Sequence, residues 1–212
     1  MASVYSLGIY CPDGEYVPVA EVYARLGRMY FDGIGVEEDT AQASMYFEIA
    51  HEKGSRDMLG GDYLMMGMYR LLEVPAGVRC GLTKDVSLAI KWFLEGLKTC
   101  IRYEDTHWRN LLYSHIGRAL LDDEIRDYEN AFLFLTIAAV QEPEAMFYLA
   151  IMYDRGLYVE EDRVKAVYCL EQILDATDLE GDVFYEAAGH IMACWETGAP
   201  EEIIEGILQS LG

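Results

Sequence analysis

The chain has 212 residues, of which 52% are hydrophobic and 25% are charged, a composition typical of a globular protein that excludes an intrinsically disordered one. Its 37 acidic residues against 16 basic residues give a formal net charge of −21. This charge argues against binding to a nucleic-acid backbone or an anionic membrane surface, which both require clustered Lys and Arg, and its simplest role is to keep the protein soluble.

A stretch of the chain occurs twice. Residues 33–39 (Gly-Ile-Gly-Val-Glu-Glu-Asp) return 123 residues later as residues 156–162 (Gly-Leu-Tyr-Val-Glu-Glu-Asp). Repetition of this kind is the sequence signature of repeat proteins, in which successive units stack on one another and share a continuous core. We therefore predict an all-α solenoid of about five antiparallel helix pairs and a C-terminal capping helix.

We expect one repeat domain over residues 1–212. Residues 1–19 are either a degenerate half-repeat or a strand-like leader that ends at Pro12-Asp13-Gly14. The predicted elements that follow are repeats at 20–54, 57–100, 107–141 and 143–177, then a partial fifth repeat with the capping helix at 182–211. Two Gly and a Pro predict a surface loop inserted at 73–84, and a second insertion is predicted around 101–108.

Each predicted repeat contains two helices with recognisable small or capping residues. The first helix carries a small residue near its middle, at Gly27, Gly67, Gly117 and Ala150. Mid-helix Gly costs about 1 kcal/mol relative to Ala, so we expect close helix contact to compensate. The second helix is predicted to begin at an N-cap Asp, at Asp39, Asp85, Asp127 and Asp162. Gln42 adds a predicted capping box to the first of these.

The segments Leu26-Gly27-x-x-Tyr30, Gly33-x-Gly35-Val36 and Asp39-x-x-x-Ala43-x-x-Tyr46 together resemble the signature of the Sel1-like repeats, which are relatives of the tetratricopeptide repeats. The resemblance covers roughly residues 20–198 and is strongest over 20–54 and 143–177, while the third copy lacks the glycine turn. It implies a right-handed superhelix of antiparallel helix pairs that recruits other proteins. Some family members are secreted and have paired cysteines, but the five cysteines here do not follow that pattern.

The sequence contains no constellation that indicates catalysis, a cofactor or a metal. The four histidines, His51, His107, His115 and His190, are scattered along the chain and lack zinc-ligand spacing. The glycines at 33 and 35 lack the Lys-Ser/Thr of a P-loop, and the acidic run at 37–39 lacks the alternating ligands of a calcium loop. We predict a protein that is not an enzyme and that binds neither cofactor nor metal.

We predict a cytoplasmic location. No segment approaches the ~20 apolar residues that span a bilayer, and the first six residues, Met-Ala-Ser-Val-Tyr-Ser, lack the basic and apolar regions of a secretory signal. The cysteines are odd in number and contain no Cys-x-x-Cys, so we expect free thiols that serve in packing.

Arginine outnumbers lysine by eleven to five, and six of the Arg lie on predicted first helices. In related repeat folds these helices face a concave groove, and Arg and Tyr are enriched at interface hot spots. We predict a partner-binding groove formed by Tyr23, Arg25, Arg28, Tyr63, Arg70, Arg109, Tyr113, Arg118, Tyr148 and Arg155. Its Arg side chains would bind carboxylates of the partner. In the alternative interpretation, they pair with nearby acids of the chain itself.

The predicted function is that of a non-catalytic scaffold or adaptor, which binds a peptide or protein in its concave groove and binds neither nucleic acid nor membrane. Exposed terminal helices could also pair two copies of the chain. The alternative function is an acidic decoy or inhibitor that occupies a basic site on a partner. Salt separates the two, because a decoy should lose affinity steeply with ionic strength and an aromatic-lined groove should lose less.

Overall fold

The computed structural model describes residues 8–10, 16–71 and 84–175, which form eight α-helices and a two-stranded sheet. The helices are α1 (Val19–Asp32), α2 (Thr40–Glu52), α3 (Gly60–Arg70), α4 (Val86–Tyr103), α5 (Thr106–Leu120), α6 (Tyr128–Ala138), α7 (Pro143–Arg155) and α8 (Arg163–Asp175). Consecutive helices form the predicted pairs, which confirms the helical repeat architecture. Across the described residues, no helix combines the length and apolarity needed to cross a membrane.

Two short strands precede the first repeat. Strand β1 (Gly8–Tyr10) pairs antiparallel with β2 (Tyr16–Pro18), and Ile9 lies opposite Val17. Residues 8–10 and 16–18 are therefore strand and not a helical half-repeat, and α1 begins at Val19. The predicted surface loop at 73–84, apart from Lys84, and the predicted fifth repeat and capping helix at 182–211 lie outside the described residues.

The chain divides into two compact units, residues 1–112 and 113–212, and the division falls within α5. In the first unit α1 packs on α2, α2 on α3, and α3 on α4; in the second unit α6 packs on α7, and α7 on α8. Helices that follow one another in sequence thus pack on one another, as in stacked repeats. The most deeply buried large side chains include Phe47 and Phe93 in the first unit and Leu135, Met152 and Ile173 in the second.

One main-chain hydrogen bond closes the link within every helix pair. The N–H of the residue before the second helix donates to a carbonyl at the end of the first helix, at 2.8–3.0 Å in the pairs Asp39–Tyr30, Asp85–Arg70, Asp127–Leu120 and Asp162–Tyr153. The turns themselves differ. Gly33 and Gly156 end α1 and α7 with φ of 65° and 62°, as the glycine turn predicts. The third pair has no such Gly, and Arg126 takes a φ of 52° instead.

The four predicted Asp caps are confirmed. Each carboxylate accepts from the main-chain N–H three residues on, at 2.9, 2.9, 3.2 and 3.0 Å for Asp39, Asp85, Asp127 and Asp162. The capping box predicted at Gln42 is wrong. The Gln42 side-chain amide donates to the Asp39 carboxylate at 3.1 Å, and the Asp39 N–H already donates to Tyr30.

We expect Asp39→Ala to lower the free energy of unfolding by about 1 kcal/mol at neutral pH, and Asp39→Ser, which keeps an acceptor oxygen, to lower it less. Hydrogen bonds from the Gln42 main chain and side chain lower the pKa of Asp39. Its contribution is therefore present above the ordinary carboxyl pKa and is lost as the pH falls through the folded-state pKa. Urea unfolding across the acid range measures this, and a difference between wild type and Asp39→Ala that stays constant with pH would contradict it.

The small residues in the first helices lie directly against a side chain of the second helix. A Cβ added to Gly27, Gly67 or Gly117 would come within 2.6, 2.1 and 2.6 Å of Phe47, Phe93 and Leu135, respectively. The fourth repeat has Ala150 at this position, in one buried cluster with Leu170. Close helix contact, the predicted reason for mid-helix glycine, is confirmed.

The insertion predicted around residues 101–108 coincides with the end of a long helix. Helix α4 continues to Tyr103, and α5 begins at Thr106, so most of these residues are helical. Helix α4 has 18 residues, whereas α2, α6 and α8 have 13, 11 and 13. It ends at Glu104, which has a φ of 57° and whose N–H donates to the carbonyl of Cys100.

Candidate functional site

The first unit contains an apolar groove, here called the unit-1 groove, with a volume of about 500 Å³. This volume falls within the ~300–1,000 Å³ typical of ligand pockets. Its large apolar side chains come from the first three helices, from the start of α5 and from the residue before α3; they are Phe31, Phe47, Leu59, Leu64, Met65, Met68 and Trp108. Its charged lining consists of Arg28, Asp32, Glu38 and Asp62. Phe31 and Leu59 are 44% and 47% exposed.

Glu21 on α1 fixes the link that leads into α3. Its carboxylate accepts from the main-chain N–H groups of Arg56 and Asp57, both at 3.0 Å, and from the Ser55 hydroxyl. Partial burial raises the pKa of Glu21, but these hydrogen bonds and the charge of Arg25 outweigh burial, so that its pKa is lowered. A cluster of charge-assisted hydrogen bonds therefore joins α1 to the link that precedes α3.

An ion pair between Arg28 and Asp62 lies in the groove lining. Arg28 Nε and Nη2 donate to the two Asp62 carboxylate oxygens at 3.1 and 2.7 Å, and Nη2 also donates to the main-chain oxygen of Asp57. Asp62 accepts in addition from the Leu59 N–H at 2.8 Å. The two side chains are 28% and 8% exposed. Burial raises the pKa of Asp62, and the Arg28 guanidinium opposes this rise without cancelling it.

Of the ten residues predicted to form a partner-binding groove, Arg28 is the one found in the lining of the unit-1 groove. Arg25 is exposed and lies 3.8 Å from Asp57, while Arg70 donates to Glu48. The other predicted residues of the first unit lie outside the groove lining. Tyr23 stacks on Tyr46 with ring centres 6.1 Å apart. Tyr63 is buried, with its hydroxyl 3.0 Å from His51 Nδ1, and Arg109 is half-buried. Burial raises the pKa of Tyr63 to about 12.

The predicted residues of the second unit do not gather at one described cavity. The rings of Tyr113 and Phe134 are 5.8 Å apart, and Arg155 is exposed at the end of α7. Arg118 donates to Glu144 at 2.8 Å, and its guanidinium lies 5.8 Å from the centre of the Tyr148 ring.

Arg28 and Arg118 make the same kind of contact. Each follows a mid-helix Gly, and each pairs with an acid in the first turn of the next first helix, Asp62 in α3 and Glu144 in α7. These contacts are the ones that the alternative interpretation of the Arg residues predicts. Whether the ten residues bind a partner stays a prediction.

Seven large apolar groove residues are absent from the predicted set: Phe31, Phe47, Leu59, Leu64, Met65, Met68 and Trp108. The available signal is the composition of α3, whose sequence Gly-Gly-Asp-Tyr-Leu-Met-Met-Gly-Met-Tyr-Arg is apolar on nearly every side. A helix of this kind needs cover on more than one face. Its second apolar face is the one that lines the groove.

The described residues offer little for covalent chemistry. Among them, no group of three or more His, Cys, Asp or Glu is placed to hold a metal ion. Burial raises the pKa of the Cys100 thiol to about 11 and also raises that of Cys169, so both are held in the weakly nucleophilic thiol form. His51 packs edge-on against Tyr63 and Trp92, with ring centres 5.6 and 5.1 Å away.

Three segments of the chain match the Sel1 repeat family: residues 20–55, 76–96 and 143–178. The first and third coincide with helix pairs α1–α2 and α7–α8, and the second includes the start of α4. The pair α5–α6, whose link lacks the glycine turn, lies outside the three segments. No curated protein matches the chain significantly.

Two solved structures are similar to the chain. A Sel1 repeat protein from Oxalobacter formigenes has 20% identity and a TM-score of 0.53, over 76% of this chain and 60% of that one. A protective antigen of uropathogenic Escherichia coli strains, described as displaying an SLR fold, has 17% identity and a TM-score of 0.36, over 74% and 38%. The chain thus spans about three fifths of the length of the first. Three segments match the Sel1 repeat, and the first likeness supports the repeat fold, so the chain is a protein with Sel1-like repeats.

Proposed function

We propose that the protein is a non-catalytic scaffold or adaptor that holds a peptide or protein segment of a partner in the unit-1 groove. Sel1 repeat proteins generally mediate protein–protein interaction. The observation that carries the proposal is the exposure of Phe31 and Leu59, at 44% and 47%, in the lining of a preformed apolar groove. Large apolar side chains that remain exposed beside charged ones are typical of interaction sites.

In this proposal the apolar side chains contact the partner and Arg28 has a supporting role. Arg28 already donates to Asp62 and to the main chain of Asp57, so it holds α1 against the start of α3 whether or not a partner is bound. Several statements stay predictions: partner binding by the other Arg and Tyr residues of the predicted set, the cytoplasmic location, the absence of catalysis and the pairing of two copies through terminal helices.

We expect Phe31→Ala and Leu59→Ala each to weaken partner binding by about tenfold, since truncating a central apolar contact costs about 1–2 kcal/mol. The measurement is the Kd of peptides selected on the wild-type chain from a random-sequence library. Ile34→Ala and Ile101→Ala are matched controls, because both side chains are 59% exposed and neither is in the groove lining. Peptides that bind Phe31→Ala as tightly as wild type, or that lose equal affinity in the controls, would contradict the proposed site.

The acidic decoy has one observation in its favour, the net charge of −21. The same selected peptides distinguish it from the scaffold. Binding to a decoy surface should fall steeply as salt is raised and should be indifferent to Phe31→Ala, whereas groove binding should retain most of its affinity in salt and should respond to that substitution.

A further inference from the structure

We propose that the partner segment held in the unit-1 groove carries a Lys or Arg next to its large apolar side chains. This inference rests on the proposed function and specifies the chemistry of the partner. The groove lining contains three carboxylates, on Asp32, Glu38 and Asp62, and one guanidinium, on Arg28. A basic side chain is the group that such a lining lacks.

Arg28 does not balance all three carboxylates. Two of its nitrogens donate to Asp62, and one of them also donates to the Asp57 main chain. Asp32 and Glu38 are both exposed, and within the described residues neither has an ion-pair partner. The charge of Asp32 also reaches the buried pair, where it adds to the rise in the pKa of Asp62. The groove therefore keeps an unbalanced negative charge beside its apolar surface.

The position of Phe31 beside Asp32 indicates how a basic side chain of the partner would lie in the groove. It precedes Asp32 at the end of α1, and the residue is 44% exposed. A Lys or Arg side chain has a long apolar stem and a charged end, so it can lie along the ring while its charge approaches Asp32. The net charge of −21 favours the same partner, because it attracts a basic segment from a distance and repels an acidic one.

The opposite occupant, an acidic segment held by Arg, would have to bind the guanidinium of Arg28. Nε and Nη2 of Arg28 already donate to Asp62 and Asp57, which leaves Nη1 for a partner. A carboxylate bound there would lie in a lining that already contains the carboxylates of Asp32, Glu38 and Asp62. Like charges repel one another, so the basic segment is favoured.

The test uses three synthetic peptides of equal length with one shared pattern of Leu and Trp, whose intervening residues are all Lys, all Gln or all Glu. Fluorescence anisotropy gives the Kd of each for the full chain. The groove variant is Asp32→Lys/Glu38→Lys. Its matched control is Glu37→Lys/Glu52→Lys, which changes the net charge equally at two exposed positions outside the groove lining.

We expect the Lys peptide to bind the wild-type chain most tightly. The groove variant should weaken the Lys peptide by at least about tenfold at low salt and should strengthen the Glu peptide, while the control variant should change either by less than about threefold. Equal weakening by the control would assign the effect to net charge and overturn the inference. Tighter binding of the Glu or Gln peptide to wild type, or no binding by any of the peptides, would overturn it too.

Phe31→Ala separates this inference from the proposed function. One outcome is that Phe31→Ala weakens binding of the Lys and Gln peptides equally, while Asp32→Lys/Glu38→Lys leaves the Kd of both unchanged. The groove then binds apolar segments without regard to charge, and the inference alone fails. If the Lys peptide binds but its affinity is unchanged by Phe31→Ala, the groove is not the binding site, and the proposed function fails with the inference.

Discussion

Gly67→Ala is expected to lower the free energy of unfolding by about 2 kcal/mol. The added Cβ would lie 2.1 Å from the Phe93 ring, far inside van der Waals contact, and Phe93 is fully buried with little room to move. Overpacking of this kind costs about 1–3 kcal/mol, and because this clash is severe we expect a cost at or above the upper end of that range. The better helix propensity of Ala offsets about 1 kcal/mol of this cost. Urea unfolding followed by circular dichroism measures the net effect.

The double variant Gly67→Ala/Phe93→Leu is the matched control, because the fourth repeat already has Ala at the first of these positions and Leu at the second. Ala150 and Leu170 occupy the positions of Gly67 and Phe93 and lie in one buried cluster. Phe93→Leu alone should destabilise by leaving a cavity. In Gly67→Ala/Phe93→Leu the new methyl group fills part of that space, so the combined loss should be smaller than the sum by about 1 kcal/mol or more. Strictly additive losses would show that the two positions do not compete for the same space.

Much of the fold is predictable because the signals are local. An Asp at the start of each second helix and a small residue inside each first helix can be located by spacing alone, and both contacts are present. The boundary of α4 was not predictable in this way. No Gly or Pro follows its last turns, and the helix ends at Glu104 with a positive φ that a glycine would have revealed.

The groove depends on tertiary structure, which explains why the predicted set captures only Arg28 of its lining. The spacing of the sequence predicts that Arg residues lie on the first helices. Whether a given Arg is available to bind a partner depends on acidic residues that are far away in the sequence. The partner of Arg28 lies 34 residues on, and that of Arg118 lies 26 residues on. Likewise, the composition of α3 shows that the helix is apolar on nearly every side, but only packing decides which side stays uncovered.

Arg28→Met is expected to lower the free energy of unfolding by about 2–4 kcal/mol at neutral pH. Methionine keeps most of the apolar stem of Arg28 but leaves the Asp62 carboxylate, which is 8% exposed, without a counter-charge. Burial already raises the pKa of Asp62 against the opposition of Arg28, and the substitution should raise it further. An acid with a raised folded-state pKa stabilises the fold fully below its unfolded pKa and progressively less as the pH rises through the folded value.

The loss caused by Arg28→Met should therefore be largest near neutral pH and shrink on acidification, as the Asp62 carboxyl takes up a proton in the folded protein. Urea unfolding at several pH values measures this trend. Arg25→Met, one turn away and 64% exposed in its side chain, should change stability by less than about 0.5 kcal/mol. Arg28→Met/Asp62→Asn should recover much of the loss, because Asn carries no charge and still offers an acceptor to the Leu59 N–H. If instead the double variant is as unstable as Arg28→Met and the loss does not vary with pH, then the role of Arg28 is packing and not charge compensation.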